Sequence, residues 1–420
     1  MSAQMTPLSI APKLFATLLG IAIPSVVFGR SVFAVLIILA LITLFFCKPW
    51  RDVILDLDAQ VKAPVGLLIL ATFVAWLPNV IISPLPIRSF EAVLRTLLFI
   101  GIASVFYSYL RSDQRVLKRT LQAFTIMTAI AMAFSFLAMT ILPEIYWFFK
   151  LKGWLSTPLL SQLKGFSALT VFMVPILILT GSLYPKAWKI ACGFILIPTL
   201  IFVYMAGSRS ALAGFLAISV IMVFVFTQKS VSKARVVASF ASIGLLITGV
   251  IVWLQNSRAI WLERAPNQDW FLPVWLLDFE RQVIWKHAFE FAMASPWVGI
   301  GANTINFAPG ADALIERTNN LHVIPAHPHN WAIEIFAETG TIGLCVLLVT
   351  LITLTYQTLL TVRRSGSLGP IMAIAVLAGY WGSGLFNFSY WSAWWQLSFL
   401  ISLVFCFAST PKTEERSLPK

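Results

Sequence analysis

The chain is 420 residues long, 59% hydrophobic and only 11% charged, with a mean hydropathy of +0.86 and a net charge of +13. Such a composition excludes a soluble globular domain as the bulk of the molecule. The basic balance needs no nucleic acid to explain it, because much of it falls where anionic headgroups and the membrane potential place lysine and arginine.

Apolar runs long enough to cross roughly 30 Å of hydrocarbon recur along nearly the whole sequence, and about twelve spans are predicted. They fall at 13 to 29, 32 to 47, 65 to 83, 91 to 110, 120 to 142, 166 to 184, 190 to 206, 211 to 227, 237 to 255, 332 to 357, 369 to 388 and 393 to 409. The fold class is an all-α polytopic membrane protein with one large outer loop containing short helices. The first run, LFATLLGIAIPSVVFG, lacks an A-x-A-like exit and is followed at once by the second, so it reads as a retained anchor. Lys48, Arg51 and Lys62, then Arg111, Arg115, Lys118 and Arg119, then Lys186 and Lys189, then Lys229, Lys233 and Arg235, then Arg363 and Arg364 fill every second connection. The others hold less: Arg30, Arg88, Arg209 and the group Lys150, Lys152 and Lys164. The positive-inside rule therefore puts both termini in the cytoplasm. Cys47, Cys192, Cys345 and Cys406 all lie in expected spans without CxxC spacing, as small apolar residues do.

This divides the chain into 1–255 with spans one to nine, an outer loop at 256–329, 330–409 with spans ten to twelve, and a cytoplasmic tail at 410–420. Long loops in compact folds are usually functional, and this one runs for about 75 residues up to the tenth span. It holds all four histidines, His287, His322, His327 and His329. Within it, ERQVIWKHAFEFAMASPWVGIG predicts an amphipathic helix from Glu280 to Ala294, with Arg281, Trp285, Ala288 and Ala292 on one face. Ser295-Pro296 followed by Gly299 and Gly301 ends it. Such a helix can simply lie on the headgroups, and that does not compete with a functional Arg281.

The stretch HPHNWAIEIFAETGTIGL, residues 327 to 344, runs from imidazoles straight into a membrane span. Pro328 suits a first helical turn, which puts the helix start near it and His329 at the outer mouth of the span. Asn330, Glu334, Ala337 and Thr341 follow on one stripe. Glu338 lies about 13 Å further along a straight helix than His329, too far to orient it directly. Glu338 fits better as a buried partner for a backbone or basic group, with Gly340 and Gly343 permitting close packing.

Arg209, in MAGSRSALAG, occupies a short outer connection between the seventh and eighth spans. A guanidinium with five fixed donors suits phosphate or pyrophosphate, and a Gly-Ser loop opening a helix adds backbone N–H donors for the same anion. Trp381, Trp391, Trp394 and Trp395 cluster at the outer ends of the last two spans, as an interfacial aromatic belt does. No Walker A, H-E-x-x-H or G-x-S-x-G motif occurs, and Asp269, Asp278 and Asp312 are dispersed, so chemistry without a metal or other cofactor is the simpler expectation.

About twelve spans, one large outer loop before the tenth, SRSA at Ser208 to Ala211 and the histidine block together resemble the bacterial O-antigen ligase and polymerase superfamily. His329, Asn330, Glu338, Gly340 and Gly343 match the family pattern H-N-x-x-L-x-x-x-x-E-x-G-x-x-G, with Ile333 in the leucine position. One dominant outer loop makes the ligases the closer resemblance. It implies a GT-C-like membrane glycosyltransferase fold in the bacterial inner membrane. It further implies transfer of O-antigen from undecaprenyl pyrophosphate to lipid A-core on the periplasmic face. A sugar leaving a lipid pyrophosphate needs fixed positive charge, for which Arg209 and Arg281 are the candidates. The acceptor hydroxyl benefits from a neutral imidazole as base: His329, with His327 able to exchange roles with it and Asn330 and Glu338 in support. An O-antigen polymerase or a protein O-oligosaccharyltransferase would use the same donor. A transporter or flippase is the alternative of another class, but Pro24, Pro175 and Pro198 mark no matching interruptions in two halves.

Overall fold

The computed structural model describes residues 8–150, 159–228, 249, 277–316, 318 and 320–410. The expected ninth span, apart from residue 249, the first part of the outer loop (256–276) and the tail after 410 lie outside the described residues, as does Lys152.

In chain order the helices are α1 (Ile10–Ala22), α2 (Arg30–Leu44), α3 (Trp50–Lys62), α4 (Pro64–Ile82), α5 (Pro86–Ser112), α6 (Gln114–Thr140) and α7 (Pro143–Lys150). They continue with α8 (Leu159–Leu183), α9 (Lys186–Met205), α10 (Arg209–Gln228), α11 (Phe279–Ala294), α12 (Trp331–Ser365), α13 (Leu368–Gly384) and α14 (Ala393–Ala408). Among the described residues the extended pairing is limited to one isolated bridge, Leu314 with His322. The chain is therefore an all-α polytopic membrane protein. Seven of the described helices are long and apolar enough to cross a membrane: α4, α5, α6, α8, α9, α10 and α12. Four more, α1, α2, α13 and α14, are apolar but shorter.

Two departures from the expected spans have local causes. The first run is split, because Pro24 ends α1 and a 3-10 turn at Pro24–Phe28 follows. α3 was not anticipated: it is 13 residues long and mixes Arg51, Asp52, Asp56, Asp58 and Lys62 with apolar residues. It is too short and too polar to register as a span.

Packing follows membrane rules, with small residues letting backbones approach and hydroxyls turned inward. A Cβ on Gly20 would stand 2.3 Å from the Thr120 carbonyl oxygen, so α1 lies directly on α6. Thr72, Thr96, Thr120 and Thr128 return their hydroxyls to carbonyls one turn back, which satisfies them without water. Thr72 also meets Thr350 at 3.0 Å, tying α4 to α12. Large apolar side chains such as Ile81, Phe194 and Ile352 stay exposed, as a lipid-facing surface requires.

The irregular segment after α11 is interlocked with α12. At Gly340 the helix breaks, with φ 67° and ψ −176°. In an unbroken helix the amides of Thr341 and Ile342 would donate to the carbonyls of Ala337 and Glu338. Here the loop is inserted between them. Thr341 N–H donates to the Pro296 carbonyl at 2.8 Å and Ile342 N–H to the Trp297 carbonyl at 3.2 Å. The freed carbonyls of Ala337 and Glu338 accept from Ile300 and Gly301, both at 3.0 Å. All four orphaned groups thus find partners, as an apolar surrounding demands. Glycine is required on both sides of this contact. A Cβ on Gly340 would meet the Trp297 carbonyl group at 2.3 Å, and one on Gly299 (φ 75°) the Glu338 carbonyl group at 2.3 Å.

Gly340→Ala is expected to lower the thermal unfolding midpoint of the purified protein clearly, because a left-handed alanine alone costs roughly 1–3 kcal/mol before the clash is added. Gly193→Ala, in α9 with nothing within 4 Å of the new methyl, serves as the control and should leave the midpoint unchanged or raised. Equal midpoints for Gly340→Ala and wild type would refute the interlock.

Candidate active site

A cavity of about 480 Å³ opens beside the start of α10. Its walls come from distant parts of the chain: Lys164 of α8, Gly207 to Ser210, Asp278, Glu280, Arg281 and Ile284 around the start of α11, Leu321, His329, and Phe386 with Asn387 after α13. Arg209, Arg281 and His329, three candidates from the sequence, therefore share one space.

Both arginines stand at helix N-termini. Arg209 opens α10 after Gly207, whose φ of 57° turns the chain, and Arg281 is in the first turn of α11. A cation there opposes the helix dipole, so a counter-charge is needed. Asp278 supplies it. Its carboxylate caps α11 by accepting from the Arg281 amide at 2.9 Å, forms an ion pair with Arg209 and lies 3.6 Å from Arg281 Nε. Asp278 is almost fully buried, whereas both arginine side chains keep about a fifth of their surface open. Burial pushes the Arg281 guanidinium below its usual range, Asp278 opposes this, and Arg209 adds to it. Arg281 Nη1 is buried with no hydrogen-bond partner in the protein. Lys164 and Glu280 complete the charged lining, giving three cations and two carboxylates.

The polar floor is tied together through Ser210. Its hydroxyl lies 3.1 Å from that of Ser208 and accepts from the Asn387 amide at 3.2 Å, while Ser383 donates to its carbonyl at 2.6 Å. These contacts join α10 to α13 and to the turn that follows it.

His329 does not lie in a helix. The expected start near Pro328 is corrected: α12 begins at Trp331 and Asn330 is its N-cap, accepting from the amides of Ala332 and Ile333 at 3.0 and 3.2 Å. Asparagine is a far better cap than the preceding residues, and its geometry excludes them from the helix. His329 is left with φ 55°, a left-handed conformation uncommon for a side chain of its size. The loop is held by its own contacts. His329 N–H donates to His327 Nδ1 at 3.1 Å, and Trp285 Nε1 of α11 donates to the Pro328 carbonyl at 2.9 Å. The two imidazoles stand edge to face at 4.3 Å.

Both rings are held neutral. Burial lowers His329 to about 4, with the Arg281 charge acting the same way and the Asn387 backbone opposing it. Burial lowers His327 to about 3, followed by the influence of His329 and then Arg281. His327 does not line the cavity. Nor do His287, which pairs with Glu290 at 2.9 Å, and His322, which meets the Asp312 carbonyl at 2.6 Å.

The two carboxylates of α12 hold loops. Glu338 accepts from three successive amides, Asn303, Thr304 and Ile305, at 2.7, 2.8 and 2.9 Å, and from the indole N–H of Trp391. Glu334 accepts from the Ser389 hydroxyl and the Tyr390 amide, both at 2.6 Å. The turn at 385–392, which brings Phe386 and Asn387 to the cavity, is thereby fixed to α12. The tryptophans do not form a lipid-facing belt: Trp391, Trp394 and Trp395 are buried. Trp391 packs against Trp76 and Tyr390, and Trp381 accepts from Trp331 Nε1 at 3.0 Å through its carbonyl. Their rings serve as packing under the site, because Glu338 and neighbouring aromatics cover them.

Asp278 and Asn387 were not singled out from the sequence. The D-x-x-R spacing at the start of α11 is a capping signal that points to the first. Nothing local points to Asn387. Among the described residues, no three His, Cys, Asp or Glu side chains converge as metal ligands.

Two comparisons relate this chain to known proteins. The model of the O-antigen ligase family matches residues 192–348, a stretch running from α9 to the middle of α12 and including Arg209, Arg281 and His329. A protein of Rickettsia prowazekii (strain Madrid E), provisionally named a polysaccharide ligase, is 24% identical over 213 residues, which is 49% of this chain and 49% of that relative. The alignment thus spans about half the length of the curated relative. Over residues 192–348 the chain is therefore similar to the O-antigen ligase family, and the likeness includes the cavity's arginines and His329.

Proposed function

We propose that the protein is a membrane glycosyltransferase, an O-antigen ligase that transfers polysaccharide from undecaprenyl pyrophosphate to lipid A-core, with its site on the periplasmic face of the inner membrane. The observation that carries this reading is the meeting of Arg209, Arg281 and His329 in one cavity, although they lie far apart in the chain.

The chemistry follows from those groups. An acceptor hydroxyl oxygen attacks the anomeric carbon of the donor sugar, and the bond from that carbon to the pyrophosphate oxygen breaks. The hydroxyl proton passes to His329, and the electron pair leaves with the lipid pyrophosphate. Arg209 and Arg281, supported by Lys164 and by two helix N-termini, face the charge that develops on the leaving group. The exchange is a single inverting displacement. Its demand for a neutral imidazole matches the state in which burial and Arg281 hold His329. Bound pyrophosphate would offset the Arg281 charge and make the ring more basic when it must accept a proton.

Two experiments test the assignment. In vesicles containing purified lipid-linked glycan and lipid A-core, His329→Ala should lose glycan attachment by at least about a hundredfold, the scale of general-base catalysis. Arg209→Lys should also be severely impaired, because an ammonium lacks the planar fork. Near-normal transfer by either variant would remove that residue from its role. Glycan lengthening on the donor, with lipid A-core left bare, would identify a polymerase.

The second test is pH. The acid limb of kcat/KM for the donor, which reports the free enzyme, should fall near the His329 value of about 4. The limb of kcat should lie at higher pH, since the bound dianion raises the same group. Coincident limbs near 6.5 would mean that the essential base is not this buried imidazole.

A further inference from the structure

Lined by none of the residues that wall the active-site cavity, a groove of about 260 Å³ runs between α1, α6 and α9. One end is polar and basic, with Arg119 and Gln122 of α6 and Trp188 near the start of α9. The rest is walled by Thr17 and Ile21 of α1 and by Ala123, Ile126, Met127 and Ile130 of α6. The Thr17 hydroxyl is already committed to the Lys13 carbonyl at 2.9 Å, so that wall offers no free donor. Among the described residues no carboxylate lines the groove.

Its dimensions match one leaflet. From Arg119 to Ile130 the rise along α6 is about 16 Å at 1.5 Å per residue, close to half of a hydrocarbon core of roughly 30 Å. The groove floor is closely packed, since a Cβ on Gly20 of α1 would stand 2.3 Å from the Thr120 carbonyl oxygen and 2.9 Å from the Ala123 Cβ. A guanidinium, an amide and an indole N–H at headgroup level, above a one-leaflet apolar trough, have the donor set and shape for a phosphodiester on an acyl chain. Arg115, Lys118, Lys186 and Lys189 lie in the first turns of the same two helices and, with Asp113 pairing only Arg115, leave this face basic on balance.

We propose that this groove binds an anionic phospholipid from the leaflet facing the basic connections, with its phosphate at Arg119 and one acyl chain along Ile21, Met127 and Ile130. The site is independent of the proposed glycosyl transfer, and its test needs no turnover. Thermal unfolding of the purified full chain would be followed in micelles titrated with phosphatidylglycerol or with phosphatidylcholine of identical acyl chains. Phosphatidylglycerol should stabilise the protein at lower concentration. Arg119→Ala should weaken that advantage about fivefold, the effect of one basic side chain near an anionic headgroup. Met127→Trp, which fills the trough and leaves the basic end intact, should also abolish it.

Equal responses to the two lipids would overturn the proposal. So would a phosphatidylglycerol preference that survives Met127→Trp, because attraction to the basic face alone would then account for it. If either variant unfolds without lipid far below wild type, lipid retained through purification, counted by native mass spectrometry, gives the reading instead. Wild type should keep bound phosphatidylglycerol that Arg119→Lys largely retains and Arg119→Ala loses, and a bare wild-type chain would refute the site.

Discussion

The break in α12 at Gly340 is the constraint on which the rest of the outer face depends. Opening one turn of a helix orphans two amides and two carbonyls, and in apolar surroundings each must be matched. The segment 296–301 fits because it presents two carbonyls and two amides at the required spacing, with glycine at both points of backbone contact. Glu338 then continues the attachment by taking the amides of Asn303, Thr304 and Ile305. An irregular loop is thereby held as firmly as a helix, and α11, which leads into it, is set against α12 with Arg281 at its far end.

The electrostatic character of the cavity comes from where the helices start. α10 and α11 begin in its wall and α12 begins two residues beyond His329, so partial positive charges accompany the guanidinium groups. Such a concentration would be unstable without Asp278, which serves both arginines and caps α11. Its carboxylate also marks what the arrangement is suited to hold. An oxyanion shared by two guanidinium groups is the geometry a phosphate oxygen would adopt, and Arg281 Nη1 still lacks a partner for one.

The helices and the candidate arginines were legible because their signals are local. A span is a run of apolar residues, and a buried-type arginine among glycines and serines stands out wherever it occurs. α11 was found within one residue of its start, and its end was marked by Ser295 and Pro296. The start of α12 was misplaced because Pro328 and Asn330 both signal a helix N-terminus, and only the side-chain bonds of Asn330 decide between them. Asn387, Phe386 and Lys164 were missed for a different reason: their meeting with Arg209 depends on packing between helices that no local pattern in the sequence brings together. The buried tryptophans mislead in the same way. Sequence puts them at the ends of spans, but only the fold turns Trp391 inward onto Glu338 and Trp76 and packs Trp394 and Trp395 against Phe388.

His329 shows how the fold holds an unfavourable conformation for use. A left-handed histidine costs on the order of 1 kcal/mol or more and persists only when its surroundings over-determine it. Three anchors do so: the Asn330 cap on one side, the amide bond to His327 Nδ1 on the other, and the Trp285 indole gripping the Pro328 carbonyl. Because His327 Nδ1 accepts a hydrogen bond, a neutral His327 carries its proton on Nε2, which makes it a support for the loop before it is anything else. His329 Nδ1, by contrast, is buried without a protein partner. Of the two imidazoles, only the strained one lines the cavity, and its Nδ1 is the ring nitrogen left without a protein partner, which is why the proposed base is His329 and not His327.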